Sequence, residues 1–172
     1  MVDYLDELEI GLCLRLNALS QNHTVRDFFS AVSRLGDYPA YLIVGIACAA
    51  VLEEAGPAFV VQCLMTATVG ILLYKRLKNW LVRERPYVTH AGIACAAAPL
   101  DRYSFPSGHT MHAVSFAILF SAYVPEMMWL MAPFAGLVAM SRMILGLHYP
   151  TDVLVGAALG AGLASVSLWV TG

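Results

Sequence analysis

Met127 to Leu147 reads MMWLMAPFAGLVAMSRMILGL and runs directly into His148, Tyr149, Pro150, Thr151 and Asp152. A helix needs about 20 apolar residues to cross the hydrocarbon core of a bilayer, and this stretch is that long. Its one charge is Arg142, which is also the only Lys or Arg after Arg102. A guanidinium at that depth is expensive unless a partner or ligand meets it, so Arg142 reads first as a functional residue.

The rest of the chain has the same character. Its 172 residues are 59% hydrophobic and 13% charged, and the mean hydropathy is +0.69, too apolar for an ordinary soluble domain. Pro39 to Leu52, Pro57 to Tyr74, Thr110 to Val124 and Val153 to Val170 join Met127 to Leu147 as apolar stretches. The expected fold class is therefore all-α, a polytopic transmembrane helical bundle of about five spans, because backbone in lipid must satisfy its own hydrogen bonds. Pro39 to Leu52 is short for a span unless it begins near Leu35. A sixth span through residues 8–20 would bury Arg15, so five is the working count. Gly156 and Gly160, extended by Gly162 and Ala164, let a neighbouring helix approach the last span closely.

The N-terminal part differs. Leu5, Leu8, Leu12, Leu16 and Leu19 recur at helical spacing beside Asp6, Glu9 and Arg15, the pattern of an amphipathic helix lying in the interface. A second short helix starts after Asn22 or Thr24, with Val25, Phe28, Phe29, Val32 and Leu35 on its apolar side. One membrane domain over 1–172 is expected, with interfacial helices in 1–36 and the transmembrane core in 37–172. Asp3, Asp6, Glu7 and Glu9 leave no basic n-region, so a cleavable signal peptide is not expected. Cys13, Cys48, Cys63 and Cys95 are widely spaced and suggest neither a zinc pattern nor a disulfide framework. Net charge is −2, and the cations cluster at Lys75, Arg76, Lys78, Arg83 and Arg85. No nucleic-acid partner is expected.

Antiparallel passage of the spans brings four sequence regions to one membrane face. They are Lys78 and Arg85 after span two, Ser107, Gly108 and His109 before span three, Arg142 and His148 at the end of span four, and Asp152 opening span five. Lys78 and Arg85 lie two helical turns apart, roughly 10 Å along a helix axis, so both side chains reach one anion if the helix continues to Pro86. Arg142 adds a planar fork suited to phosphate oxygens. Lys75, Arg76 and Arg83 read as interfacial anchors. Ser107 suits a helix cap, Gly108 lets backbone approach a ligand, and the first amides of the helix offer an anion site. His109 there can protonate a leaving oxygen. A carboxylate at Asp152 can hold one imidazole nitrogen of His148 and leave the other as nucleophile or base, or it can simply complement the helix N-terminus. His112 makes an H-x-x-H pair with His109, but no cysteine or carboxylate cluster accompanies it, so no metal site is expected.

Lys78-x6-Arg85-Pro86, Pro106-Ser107-Gly108-His109 and Ser141-Arg142-x5-His148-x3-Asp152, in that order, resemble the three-part signature of the type 2 phosphatidic acid phosphatase family. Its members are integral-membrane lipid phosphatases related to bacterial acid phosphatases and vanadium haloperoxidases. The resemblance implies that His148 attacks phosphorus to give a phosphohistidine, Asp152 orients it, and His109 protonates the leaving group. Lys78, Arg85, Ser107, Gly108 and Arg142 would hold the phosphoryl oxygens, with no metal and no cofactor.

The implied partners are a phosphorylated membrane lipid and the bilayer itself, and a homo-oligomer is compatible with the sequence. Small size and an interfacial N-terminus resemble bacterial undecaprenyl-diphosphate or phosphatidylglycerolphosphate phosphatases, and the first is favoured. Phosphatidate, lipid A and transfer of the phosphoryl group to another lipid fit the same chemistry. The haloperoxidase relatives are larger soluble proteins, and an eroded motif, the mark of a non-enzymatic scaffold, is absent. The expected location is the bacterial inner membrane with the site facing the periplasm. Positive charge on the site face would argue for the cytoplasm, but several of those cations are assigned to chemistry.

Overall fold

The structure is a computed structural model that describes residues 2–171, with side chains described from Glu7 to Thr171. Leu5, Asp3 and Asp6 of the expected amphipathic pattern fall outside those side chains. Among the described residues eight α-helices follow one another: α1 Val2–Ala18, α2 His23–Leu35, α3 Pro39–Val51, α4 Gly56–Leu81, α5 Pro86–Thr89, α6 Gly108–Tyr123, α7 Met128–Ile144 and α8 Pro150–Thr171. Single 3-10 turns at Leu19–Gln21, Glu53–Ala55 and Pro125–Met127 link neighbours. The protein is an all-α transmembrane bundle.

Among the described residues, three segments are each long and apolar enough to cross a bilayer: Glu53–Thr89, Pro125–Ile144 and Pro150–Thr171. A fourth is a broken one, in which α2 and α3 qualify together and meet at a bend of 50°. The shortness of Pro39 to Leu52 is resolved in this way, since the chain reaches back through Gly36, Asp37 and Tyr38 into α2. The stretch from Thr110 to Val124 forms most of α6, whose 16 residues extend only about 24 Å. Enclosed by its neighbours, α6 needs no full lipid-crossing length. Met111, Ala113, Leu119 and Phe120 are buried on it, whereas Ile43, Ile46, Leu64, Leu72, Trp129, Leu154 and Trp169 on the surrounding helices are exposed, as lipid-facing side chains are.

Close approach of α8 to α6 sets the centre of the bundle. A Cβ on Gly160 would stand 2.3 Å from the Met111 carbonyl oxygen, and one on Gly156 would stand 2.6 Å from that of Ser107. Ser115 adds a hydrogen bond from its hydroxyl to the Gly160 carbonyl at 2.9 Å. Ala164 continues the seam, fully buried. Gly162 does not belong to it, because nothing lies within 4 Å of its missing Cβ. At the far end from the sequence motifs, Gln62 of α4 donates to Ser167 and Thr171 of α8 and accepts from the Tyr123 hydroxyl of α6 at 2.5 Å.

Helix α1 turns most of its described leucines away from the bundle. Leu8, Leu12 and Leu14, and Leu19 in the turn that follows, are exposed, while Cys13, Asn17 and, in that turn, Ser20 are buried. Asn17 holds the long α5–α6 loop to the end of α7, donating to the carbonyls of Ala94 and Ile144 at 3.0 Å and accepting from the Ala94 amide at 2.7 Å. Helix α2 starts at His23, with the Asn22 side chain capping the amides of Thr24 and Val25. The turn after α7 needs Gly146, whose φ is +75° and whose Cβ would stand 2.4 Å from the Ala94 oxygen.

Gly160→Ala should force α8 off α6 and destabilise the protein by about 1–3 kcal/mol, the usual effect of overpacking. Thermal unfolding of the detergent-solubilised protein checks this. Gly162→Ala should leave the midpoint unchanged, and equal effects at the two glycines would contradict the seam.

Candidate active site

Helix α4 carries Lys78 in its last turn and ends at Leu81, where Val82 adopts the left-handed conformation with φ +47°. Arg85 therefore does not share a helical face with Lys78, as the sequence spacing suggested. It stands in extended backbone before Pro86, as the N-cap of α5, in line with the restriction proline places on its predecessor. The two cations still meet, because both reach the same carboxylate oxygen of Asp101, Lys78 at 2.6 Å and Arg85 at 2.7 Å.

Six of the eight site residues expected from the sequence line one cavity. They are Lys78, Arg85, Gly108, His109, Arg142 and His148, joined by Asp37, Tyr38, Tyr74 and Asp101. Its volume is about 40 Å³, where a single water needs about 10–15 Å³. A phosphoryl group fits such a space. Ser107 and Asp152 stand behind the wall, both with 0% exposure. The Ser107 oxygen faces the Thr110 amide and hydroxyl as the N-cap of α6, and Gly108 lies under the Tyr74 ring, 3.3 Å from where a Cβ would sit.

The three cations are differently occupied. Arg85, 1% exposed, donates to the carbonyls of Leu147, Asp101 and Arg102 besides its ion pair. Lys78 adds the Tyr103 carbonyl at 2.9 Å. Arg142, 3% exposed, donates from one terminal nitrogen to the Ser33 hydroxyl, and its Nε has no partner among the described residues. A buried guanidinium so sparsely matched retains unused donor capacity.

His148 sits in the turn between α7 and α8, its amide on the Arg142 carbonyl at 3.1 Å. Its Nε2 is 3.3 Å from Arg85 Nη1. Burial first, then the surrounding charges of Arg142, Arg85 and Lys78, hold its imidazole well below the usual histidine range, so the ring is neutral. Asp152 approaches Nδ1 only to 3.5 Å, and Nδ1 makes no hydrogen bond. The carboxylate is drawn elsewhere: one oxygen accepts from Arg83 at 2.8 Å and the other from the Tyr149 amide at 2.9 Å.

Arg83 thus departs from the anchor reading. Its guanidinium bridges Asp152 and, at 2.6 Å, Glu9 of α1, and it stacks on the Tyr149 ring at 3.9 Å. Glu9 also accepts from the Thr151 amide, supplying a carboxylate to the first turn of α8, where the helix dipole favours it. Asp37, in the bend between α2 and α3, lies 2.5 Å from His109 Nε2. Asp37, Asp101, Glu9 and Arg83 were not expected as site residues. The one available signal was an acidic residue beside Gly at a helix junction, in Gly36-Asp37-Tyr38-Pro39, whereas Asp101 lies within the α5–α6 loop.

Decaprenylphosphoryl-5-phosphoribose phosphatase of Mycobacterium tuberculosis is 36% identical over 92 residues, 52% of this chain and 49% of its own length. Undecaprenyl-diphosphatase of Sulfolobus acidocaldarius is 28% identical over 112 residues, 64% of this chain and 54% of its own. The chain thus spans about half the length of these curated relatives. The crystal structure of the first transmembrane PAP2 type phosphatidylglycerolphosphate phosphatase from Bacillus subtilis has the same fold, with a TM-score of 0.77 over 98% of this chain and 86% of that one at 24% identity. The family model described as the PAP2 superfamily matches residues 58–172, from the start of α4 through every motif of the cavity, and the chain belongs to that superfamily.

Proposed function

We propose that the protein removes a phosphoryl group from a membrane lipid phosphate or diphosphate without a metal, through a phosphohistidine on His148, and that its substrate is a polyprenyl diphosphate of the undecaprenyl type. The observation that carries this reading is the convergence of a neutral His148 Nε2 and three buried cations on one cavity of phosphoryl size. His148 Nε2 attacks phosphorus, and the bond to the leaving oxygen breaks as His109 supplies a proton. Lys78, Arg85, Arg142 and the Gly108 backbone take the charge that develops on the phosphoryl oxygens. Asp152, fixed by Arg83 and the Tyr149 amide, supports the ring as it becomes cationic, while Ser107 holds the α6 N-terminus in place. Water then displaces His148 from phosphorus, giving its proton back to His109. Phosphate leaves.

An apolar groove of about 320 Å³ between α3, α4 and α6, lined by Tyr41, Phe59, Ile71 and Phe120 among others, meets the cavity at Tyr38. A lipid tail lying there would place its phosphate among the cations. The preference for a prenyl chain rests on relatives named for decaprenyl and undecaprenyl substrates.

His148→Ala should abolish phosphate release from undecaprenyl diphosphate, phosphatidylglycerolphosphate, phosphatidate and lipid A alike, while a folded membrane protein remains. Wild-type activity should persist in EDTA. Near wild-type turnover by the variant would overturn the nucleophile, and loss in EDTA would overturn the metal-free route; the ranking of the four substrates by kcat/KM tests the prenyl preference.

The depressed basicity of His148 has a definite sign. Its neutral form is the nucleophile, so kcat/KM, corrected for substrate ionisation, should not fall as pH is lowered through about 6.5, where an ordinary histidine would protonate. An acid limb centred there would contradict the burial described.

The proposed setting is the bacterial inner membrane with the cavity facing the periplasm. The Glu53–Ala55 turn joins the ends of α3 and α4 remote from the cavity, and Cys95 is an exposed thiol on the cavity-side loop. An impermeant thiol reagent on intact cells should label Cys95 and spare a Glu53→Cys substitution made in a Cys95→Ser background. The reverse pattern would place the cavity in the cytoplasm.

A further inference from the structure

We propose that Asp37 is the positioning residue of the leaving-group acid: its carboxylate holds His109 Nε2 and favours the protonated ring against the cations that crowd the rest of the pocket. This inference rests on the phosphatase reading and adds a residue from outside the three motifs. The ring of His109 is mostly enclosed, with 11% side-chain exposure, and Asp37 Oδ1 lies 2.5 Å from its Nε2. Among the described residues the ring makes no other hydrogen bond, so Nδ1 is left for the substrate.

The charges around this pair create the need for it. Lys78 from α4, Arg85 before α5, Arg142 from α7 and the imidazole of His148 from the α7–α8 turn line the same cavity as His109. Each cation disfavours a second proton on His109. Two carboxylates, Asp37 and Asp101, line the cavity. Asp101, on the α5–α6 loop, is engaged by Lys78 and Arg85, while Asp152 lies behind the wall on Arg83. Asp37 is the carboxylate that touches His109, with Arg34 at the end of α2 and Arg142 as the other charges of the adjoining polar cavity. Tyr38, Tyr74 and His112 complete the surroundings.

The proton balance follows. The His109 imidazolium donates its Nδ1 proton to the leaving oxygen as the phosphorus–oxygen bond breaks, while Nε2–H stays on Asp37. Nδ1 then accepts a proton from the attacking water as the phosphorus–nitrogen bond to His148 breaks. Asp37 is never protonated, and its charge favours the acidic form of His109 before each turnover, as the carboxylate of a hydrolase triad favours its imidazolium.

The experiment compares p-nitrophenyl phosphate, whose leaving group needs little protonation, with dodecyl phosphate, whose alkoxide does, on the detergent-solubilised full chain. Asp37→Asn is expected to lower kcat on dodecyl phosphate on the order of 100-fold, the scale of general-acid catalysis, and on p-nitrophenyl phosphate by no more than about 3-fold. Because the acid acts while protonated, activity falls as pH rises through its pKa. Removing the carboxylate should therefore move the alkaline limb of kcat/KM to lower pH by about one unit, and Asp37→Glu should restore it. In a His109→Ala background the Asp37→Asn change should do nothing further. Equal losses on both substrates with an unmoved limb, or an added loss in the His109→Ala protein, would overturn the proposal. If Asp37→Asn does not accumulate folded, Asp37→Ser carries the same expectations. Wild-type protein that turned over neither substrate would sink the phosphatase reading itself, whereas wild-type turnover without the leaving-group split would sink the role of Asp37 alone.

Discussion

Three positive charges buried against one another in an apolar protein constitute the constraint around which this structure is arranged. Lys78, Arg85 and Arg142 are each at most 5% exposed, and like charges withdrawn from water repel with little screening. The fold compensates with oxygen. Asp101 lies between two of them, the carbonyls of Leu147, Asp101, Arg102 and Tyr103 surround Arg85 and Lys78, and Ser33 meets Arg142. Much of the long α5–α6 loop thereby acquires a purpose, because it brings these acceptors to charges that the helices cannot satisfy alone.

Support of the site comes from two kinds of contact. The α6–α8 seam is backbone against backbone, and it fixes the N-terminus of α6, with His109, relative to Asp152: the Ser107 amide donates to the Asp152 carbonyl at 3.0 Å. The second kind is polar and comes from the N-terminal helices, with Glu9 on Arg83 and Thr151, Asn17 on the α5–α6 loop, Ser33 on Arg142 and Asp37 on His109. The region upstream of the motifs is therefore part of the site's framework. Its leucines face outward because its polar residues are needed inside.

The helical, membrane-spanning character and six of the cavity's residues were legible in the sequence, since apolar runs and motif spacing are local properties. Less legible was whatever depends on where the chain bends. Val82 in the left-handed region ends α4 before Arg85, an outcome disfavoured for a β-branched residue and invisible to hydrophobic pattern. The span expected at Pro39 to Leu52 is completed by α2 across a 50° bend, which joins two short helices that are separate in sequence. Arg83 looked like its neighbours Lys75 and Arg76, a cation after an apolar run. Only the return of α8 to within 2.8 Å of it separates a surface anchor from a partner of the buried Asp152. Asp37 and Asp101 were opaque for the same reason: an acidic residue in a turn or loop is common, and its partner lies 72 residues away in one case and on two separate segments in the other.

The carboxylate of Asp101 has a bearing on turnover. It occupies Lys78 and Arg85 while remaining partly open to solvent, with 35% of its side chain exposed. On the proposed phosphatase reading, an incoming phosphoryl group would meet cations already engaged by an anion tethered to the chain, so binding would be an exchange of one anion for another, and the loop carboxylate would take the cations back once inorganic phosphate moved away.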